Sequence, residues 1–353
     1  MKIGIVASAR FPIVEPFAGG LEAHTWSLAH GLRTRGHDVT VFAAPGSDPA
    51  LGARELQVRF PTISRTARAD TSMTPEWWLQ EHHAYLSLML ELSDSDLDVV
   101  HNNSLHYLPV AMAASLRTPV VTTLHTPPTP WLESAIQAPR HCPVVFAAVS
   151  AHTAQAWRHV VPDAAVVRNG VDTDRWRQGP GGGPAVWSGR IVPEKGPHLA
   201  ARAATLAGVP LRLAGPVLDH DYFDEMLRPW LRGDVEHVGH LRTDELVELV
   251  GSASVSLVTP CWEEPYGLVV AESLSCGTPV AGFARGALPE LVDGGTARLV
   301  APGDATALAA ALVQAAQLDR DRARAHAVAT CSVEAMVDGY EALYGSPAVE
   351  RAA

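Results

Sequence analysis

Two glutamates eight residues apart, Glu264 and Glu272, have the type and spacing to hold a polar ligand at two points. An apolar, strand-like run precedes Glu264, and Pro265 and Gly267 then introduce a helix-like segment that carries Glu272. If that helix begins near Tyr266, its first turn presents unpaired backbone N–H groups and the positive end of a dipole, which suit a phosphate. The two carboxylates then lie about two helical turns apart, so they can reach opposite ends of one elongated ligand.

Two cations five residues apart, Arg190 and Lys195, form a second feature able to do chemistry. They lie in a loop between a predicted strand at 185–189 and the next predicted helix. There Arg can hold a diphosphate by its forked guanidinium and Lys as a point charge, without a metal ion. Taken alone, the pair is better explained as ordinary surface cations. A diphosphate site is the alternative, and what favours it is the resemblance described next.

The two features together resemble the donor site of retaining GT-B glycosyltransferases, specifically glycosyltransferase family 4. The resemblance covers residues 1–345 and rests on SGRIVPEKG at 188–196 and EPYGLVVAE at 264–272, with GHDV at 36–39 and NGVD at 169–172 as further matches. It implies transfer of a hexosyl group from a nucleotide sugar, a UDP- or GDP-sugar, to an acceptor hydroxyl with retention of anomeric configuration. It implies neither a metal ion nor a cofactor beyond that co-substrate.

The resemblance also implies a role for each matching residue. Glu264 and His125 are expected to be catalytic groups that position the donor sugar and stabilise its charge, while the leaving phosphate helps to deprotonate the acceptor. His125 closes the predicted strand at 119–125, at the edge of the sheet where ligands bind. Glu272 is expected to hold the nucleotide ribose, and both acids are expected to be ionised. The expected donor-binding residues are Arg190, Lys195, Glu272, Gly267, Leu268 and Gly20.

Acceptor contacts are expected in the first half of the chain. Gly19 and Gly20 precede a predicted helix, where glycine allows close approach to a phosphate or sugar, although a plain flexible turn is the alternative. Trp78 and His82 lie in an aromatic, helix-like segment at 76–92, where a core helix is the more common explanation and contact with the acceptor is the functional alternative. The acceptor itself is left open as a sugar, a lipid-linked group or a small molecule. A basic stretch at 54–68 is interpreted as a solvated loop.

The string DSDLD at 94–98 contains the DxD spacing with which some glycosyltransferases hold a divalent cation. It directly precedes the apolar end of the predicted strand at 97–103, where acids separate a helix from a strand. We therefore interpret it as a loop and predict no metal site. His101, near the end of that strand, is a weaker site candidate than His125.

Apolar runs alternate with helical segments along the whole chain, as in domains whose parallel strands are buried on both faces. A chain of 353 residues exceeds what one core usually serves, so two domains are expected. The predicted fold is α/β of the GT-B type, in which two Rossmann-like doubly wound domains face a cleft and a C-terminal helix returns to the first domain. The predicted parts are an acceptor domain at 1–177, a glycine-rich linker at 178–184, a donor domain at 185–330 and the returning helix at 331–345.

Composition narrows the partners and the compartment. The formal charge of −11 disfavours nucleic acid, because the chain would repel its phosphates. The four cysteines lack a CxxC spacing, which is typical of reduced thiols in a cytoplasmic protein. No apolar run approaches the roughly 18 residues of a membrane span. The predicted location is cytoplasmic, and peripheral attachment to the inner face of the membrane is left open.

Other classes of nucleotide-handling protein fit less well. A dehydrogenase would need a GxGxxG turn and an acid ending the second strand, and neither is present. A sugar-nucleotide epimerase and a pyridoxal-dependent phosphorylase share the predicted fold, and nothing in the sequence signals pyridoxal. The main alternative outside the enzymes is a non-catalytic nucleotide-sugar-binding protein, which would not hydrolyse the donor.

Overall fold

Two parallel sheets, one of seven strands and one of six, form the framework of the molecule. The computed structural model describes residues 1–59, 61–139 and 142–352, with side chains as far as Val349. Helices cover both sheets, and the central strands are buried along most of their length. Two doubly wound α/β units of this kind confirm the predicted fold class.

The first domain is organised around its first strand. Its strands are β1 (Lys2–Val6), β2 (Asp38–Ala43), β3 (Arg54–Glu55), β4 (Val99–Asn102), β5 (Val120–Leu124), β6 (Val144–Ala148) and β7 (Ala165–Val166). Its helices are α1 (Gly20–Thr34), α2 (Arg65–Arg68), α3 (Glu76–Leu92), α4 (Leu108–Ala111), α5 (Pro130–Gln137) and α6 (Ala151–Trp157). The strand order is β3-β2-β1-β4-β5-β6-β7, so the winding direction reverses between β1 and β4. Ligands of doubly wound sheets bind at the carboxyl ends of the strands beside such a reversal.

The second domain repeats this plan. Its strands are β8 (Ala185–Ser188), β9 (Leu211–Ala214), β10 (Val235–Gly239), β11 (Ser256–Val258), β12 (Val280–Phe283) and β13 (Ala297–Val300). The helices that follow β8 are α7 (Pro197–Ala207), α8 (His220–Tyr222), α9 (Thr243–Ser252), α10 (Leu268–Ser275), α11 (Leu288–Leu291), α12 (Ala305–Ala315), α13 (Arg320–Thr330), α14 (Val333–Tyr344) and α15 (Pro347–Ala352). The order β10-β9-β8-β11-β12-β13 reverses between β8 and β11. The loops after these two strands carry the predicted diphosphate and acidic motifs.

The C-terminal helix α14 returns to the first domain, as predicted. It packs on α1 at Gly31, where an added Cβ would lie 2.7 Å from Val337. The hydroxyl of Tyr344 lies 2.6 Å from Nδ1 of His101, and that histidine is fully buried. His101 therefore anchors the returning helix inside the first domain and does not reach the cleft.

The glycine-rich segment at 178–184 lies between the two sheets and is packed against the second domain. The amides of Gly181 and Gly183 donate to the carbonyls of Gly251 (3.0 Å) and Ser252 (2.8 Å). A Cβ at Gly179 would lie 2.4 Å from the Gly251 backbone, so this close approach requires glycine. The predicted linker is therefore held against the second domain by backbone hydrogen bonds. The boundaries of the two domains stay a prediction.

The DSDLD acids lie at the amino end of β1, at the opposite edge of the sheet from the ligand-binding edge. Asp98 accepts a hydrogen bond of 2.7 Å from the Lys2 amide, and Asp96 pairs with the Lys2 ammonium. These acids hold the start of β1 in place. This agrees with their interpretation as part of a loop between a helix and a strand. Among the described residues, no group of three His, Cys, Asp or Glu side chains is placed to hold a metal ion. None of the helices that the structure describes is both long and apolar enough to cross a membrane.

Candidate active site

A cleft of about 400 Å³ lies between the carboxyl ends of the two sheets. It brings together every predicted donor-binding and catalytic residue, from both domains. Those lining residues are Gly20, His125, Arg190, Lys195, Glu264, Gly267, Leu268 and Glu272. Gly19, assigned to the acceptor, lines the cleft as well. Trp78 and His82, assigned to the acceptor, do not line this cleft.

Two helices begin on opposite sides of the cleft and face each other. α1 begins at Gly20 and α10 begins at Leu268, and a Cβ added to Gly20 would lie 3.1 Å from the Leu268 side chain. Gly19 lies beside Arg190 in the same narrow part. Because the first turn of each helix has unpaired N–H groups, both helices direct positive potential at the same place. An anionic group bound there would be stabilised from both domains.

The start of α10 differs from the expectation of a helix beginning near Tyr266. The backbone of Gly267 has φ of +99°, a left-handed conformation that favours glycine, and the helix begins only at Leu268. Glu272 consequently lies in the middle of α10, whereas Glu264 lies in the loop before it. The two carboxylates are therefore presented by different kinds of backbone.

The loop that carries the two cations is joined to the loop that carries Glu264. The hydroxyl of Thr259 donates to the carbonyl of Gly196 (2.9 Å), and the amide of Cys261 donates to the carbonyl of Glu194 (2.7 Å). Gly196 has φ of +60°, and a Cβ there would lie 2.4 Å from the Thr259 carbonyl. This close approach places Lys195 directly beside the acidic loop.

Lys195 and Glu264 form an ion pair that the sequence did not predict. The Lys195 ammonium lies 2.6 Å from Oε2 of Glu264, and the indole N–H of Trp262 donates to the same oxygen at 2.9 Å. Arg190 has a looser partner in Glu194, at 3.6 Å. Both cations therefore have carboxylate partners in the free protein, and Glu264 is held in place by two neighbours.

Glu272 faces the cleft with no partner. Within the described residues its carboxylate makes neither a side-chain hydrogen bond nor an ion pair, and burial raises its pKa from 4.5 to about 7. Because desolvation favours the neutral form, the carboxylate is only partly ionised in the free protein near neutral pH. Its ionisation in the nucleotide-bound state stays a prediction. A ligand hydroxyl that donates to Glu272 would relieve this cost.

His125 follows β5 and is held neutral. Its Nε2 lies 2.9 Å from the Asn103 side-chain oxygen, and its ring meets His24 edge-on at 4.9 Å. Burial, together with the neighbouring histidines, holds the pKa of His125 well below its usual value. Since the Asn103 oxygen can only accept, the proton lies on Nε2 and Nδ1 is left as a hydrogen-bond acceptor.

Two further cleft residues escaped the sequence interpretation. Glu22, two residues after Gly20, is 5% exposed and lines the cleft, and burial raises its pKa while Arg190 opposes the rise. Its place in the first turn of a helix that follows two glycines is the signal that could have identified it. Arg175 also lines the cleft, where its guanidinium bonds both Glu15 of the first domain (3.0 Å) and Asp244 of the second (3.0 Å). Arg175 therefore holds the two domains in their observed arrangement.

Two family models match this chain. One is described as Glycosyltransferase Family 4 and matches residues 18–175, and the other is described as Glycosyl transferases group 1 and matches residues 184–317. Together they account for most of the chain, and they divide it between the two domains.

Individual relatives are similar along almost their whole length. The chain is 29% identical over 365 residues to a glycogen synthase of Mycobacterium tuberculosis, covering 88% of this chain and 85% of that protein. It is 27% identical to a phosphatidyl-myo-inositol mannosyltransferase of Mycobacterium leprae, covering 89% and 87%. Among solved structures, AviGT4, a glycosyltransferase involved in avilamycin A biosynthesis, superposes with a TM-score of 0.71 at 25% identity over 98% of this chain and 97% of that one. Anabaena HepE, in complex with UDP and glucose, superposes with a TM-score of 0.75 at 20% identity over 97% and 99%, which supports the fold alone.

Proposed function

The chain belongs to glycosyltransferase family 4, and from that premise we propose that it transfers a hexosyl group from a UDP- or GDP-sugar to an acceptor hydroxyl with retention of anomeric configuration. The observation that carries the proposal is the convergence of Arg190, Lys195 and the starts of α1 and α10 on one cleft. Two cations and two helix amino ends together suit a diphosphate. We propose that this positive charge serves in place of a metal ion and that no further cofactor takes part.

Each donor group has a matching place in the cleft. The diphosphate would lie against Arg190 and Lys195, the ribose hydroxyls would donate to Glu272, and the sugar would lie between Glu264 and His125. When Lys195 turns to the diphosphate, Oε2 of Glu264 keeps its bond from Trp262 and gains one open acceptor position for a sugar hydroxyl. The indole of Trp262 continues to fix that carboxylate.

In the proposed reaction the protein stabilises the charge on the departing diphosphate and supplies no nucleophile. Charge develops on the leaving diphosphate as the glycosidic bond breaks, and fixed N–H groups and cations stabilise such charge without rearranging. The leaving phosphate then takes the proton of the acceptor hydroxyl on the same face of the sugar, which yields retention. His125, neutral and fixed by Asn103, serves as a positioning group through Nδ1.

The relatives support a nucleotide-sugar donor, but their names indicate different kinds of acceptor. A glycogen synthase would extend a sugar chain, whereas the phosphatidyl-myo-inositol enzyme has a lipid-linked acceptor by its name. A sugar, a lipid-linked group and a small molecule therefore remain candidates. We place the reaction in the cytoplasm, because all four cysteines are free thiols.

Thermal stabilisation by UDP, GDP and ADP tests the donor site. A nucleotide at ~100 times its dissociation constant adds about 2.7 kcal/mol to stability, which a melting curve detects. The matching sugar nucleotide should then be hydrolysed slowly in acceptor-free buffer, whereas a non-catalytic binding protein would leave it intact. An epimerase would instead convert the sugar while it remains attached to the nucleotide, which NMR detects. Arg202→Ala is the control, because Arg202 is an exposed arginine of α7 outside the cleft. This variant should bind nucleotide and hydrolyse the donor as the unaltered protein does.

A further inference from the structure

Four aromatic side chains form a continuous surface on the first domain, outside the cleft. This aromatic wall consists of Trp78 and His82 of α3, Tyr107 at the start of α4 and Trp131 of α5. The Trp78 and His82 rings stack at 5.0 Å with 11° between their planes, and Tyr107 stacks on Trp131 at 5.6 Å. Trp78 and Trp131 lie 6.2 Å apart and join the two pairs.

The aromatic wall is partly exposed, since Trp131 is exposed and Trp78, His82 and Tyr107 are half-buried, and its rings are held in place. Trp131 is 61% exposed, so the fold gains little from burying its ring. The rings are nevertheless oriented by one another and by a hydrogen-bond contact of 3.2 Å between the Tyr107 hydroxyl and Nδ1 of His82. Exposed apolar surface that is held rigid indicates a binding surface more than a folding requirement.

The aromatic wall is continuous with the cleft at two points. His125 and Thr126 line the cleft, and the same loop continues into α5 and Trp131. Leu105 also lines the cleft and is 42% exposed, and Tyr107 follows it by two residues. The cleft and the aromatic wall therefore share two chain segments, which is the basis for inferring a path from one to the other.

The charges beside the aromatic wall favour a neutral ligand. Helices α3 and α5, which carry three of the four rings, also carry four acids, Glu76, Glu81, Glu91 and Glu133, and neither helix carries a lysine or arginine. Glu81, Glu91 and Glu133 have partners in Arg10, Arg54 and His159. The two helices therefore lack the cations that usually accompany tryptophans serving attachment to an anionic lipid surface. A carbohydrate suits both features, since the C–H faces of its rings pack on flat aromatic side chains and its hydroxyls donate to carboxylates.

We propose that the aromatic wall binds the sugar units of a neutral carbohydrate chain whose end lies in the cleft, which makes the acceptor an oligosaccharide. This inference rests on the proposed glycosyl transfer and adds the class of acceptor. It also gives Trp78 and His82, which lie outside the cleft, a place on the path of the acceptor.

Calorimetry with two defined chains, maltoheptaose and a linear α-mannohexaose, tests the proposal in the presence of saturating UDP. We expect at least one chain to bind, and Trp131→Ala and Trp78→Ala to weaken that binding by roughly tenfold or more, as for a central aromatic contact. Trp77→Ala is the matched control, because Trp77 is 58% exposed on the same helix and makes no ring contact with any described residue. The corresponding methyl glycosides should bind all variants with equal, weaker affinity, since one sugar unit does not reach the aromatic wall.

Three results would overturn the inference: no binding of either chain, equal affinity in the Trp131→Ala variant, or an equal loss in the Trp77→Ala control. Sedimentation with phosphatidylglycerol vesicles tests whether the aromatic wall binds an anionic lipid surface instead. Vesicle binding that depends on Trp131, without oligosaccharide binding, would also overturn the inference. UDP affinity and donor hydrolysis are measured on the same samples. Oligosaccharide binding without donor hydrolysis would defeat the proposed function and leave the aromatic wall as a carbohydrate site, whereas hydrolysis without oligosaccharide binding would defeat this inference alone.

Discussion

Glu272→Gln should stabilise the free protein above neutral pH while weakening its affinity for the nucleotide. The reason is that Glu272 is a half-buried carboxylate without a partner among the described residues, and desolvation raises its pKa from 4.5 to about 7 on folding. Below pH 4.5 the group is protonated in both the folded and the unfolded states, so it costs nothing. As pH rises from 4.5 to 7 the unfolded chain ionises first, and the free energy of unfolding falls until the folded group also ionises.

The magnitude follows from the size of that shift. A displacement of about 2.5 pKa units corresponds to about 3 kcal/mol at ~1.36 kcal/mol per unit, and this is an upper limit because part of the side chain faces the cleft. Glutamine has the same shape and carries no charge, so it removes most of this cost at pH 8 and less than about 1 kcal/mol of it at pH 5. For a chain of 353 residues the gain corresponds to a rise in Tm of about 3–4 °C at pH 8.

Melting curves at pH 5 and pH 8, with and without UDP, measure both effects in one set of samples. Without UDP the Glu272→Gln variant should melt higher than the unaltered protein at pH 8. With UDP its additional stabilisation should be smaller, because the amide replaces a carboxylate that accepts hydrogen bonds from the ribose. Glu225→Gln is the control, because Glu225 is an exposed glutamate without an ion pair among the described residues and its removal should leave Tm unchanged.

An unchanged or lower Tm of the Glu272→Gln variant at pH 8 would refute the reasoning, since it would mean that the carboxylate has a partner in solution. An equal gain at pH 5 and pH 8 would refute it as well, because the effect would then come from packing and not from charge.

Four further outcomes test the rest of the site. Arg190→Ala and Lys195→Ala should each weaken UDP or GDP binding by roughly tenfold or more, since charge-assisted hydrogen bonds contribute about 1.5–3 kcal/mol; unchanged affinity in both variants by calorimetry would contradict the diphosphate site. Activity should survive EDTA because these cations neutralise the diphosphate, and a loss that manganese restores would show that a metal takes part. Glu264→Gln and His125→Ala should each lower kcat by more than about tenfold, at least ~1.4 kcal/mol of transition-state stabilisation, whereas Glu272→Gln should chiefly raise the donor KM. NMR of the product anomer checks the stereochemistry, and an inverted linkage would rule out a retaining reaction.

The sequence alone determined the two-domain α/β architecture and the main residues of the cleft. Strands and helices could be predicted because each produces a local hydrophobic periodicity, which can be read from the sequence without a structure. The ligand-binding edge follows from topology, because residues at the carboxyl ends of parallel strands converge on one edge. The resemblance to the donor site of glycosyltransferase family 4 placed Arg190, Lys195, Glu264 and Glu272 in one site, even though the two pairs are separated by about seventy residues of chain.

Tertiary structure decided the state of those residues. The pairing of Lys195 with Glu264 depends on the joining of two loops by Thr259, and the start of α10 at Leu268 depends on the left-handed Gly267. No sequence pattern reports the burial that neutralises Glu272. The position of Trp78 outside the cleft depends likewise on how α3, α4 and α5 pack together. Protonation and partner choice depend on distances and desolvation produced by residues far apart in the chain, so these properties exist only once the fold has brought those residues together.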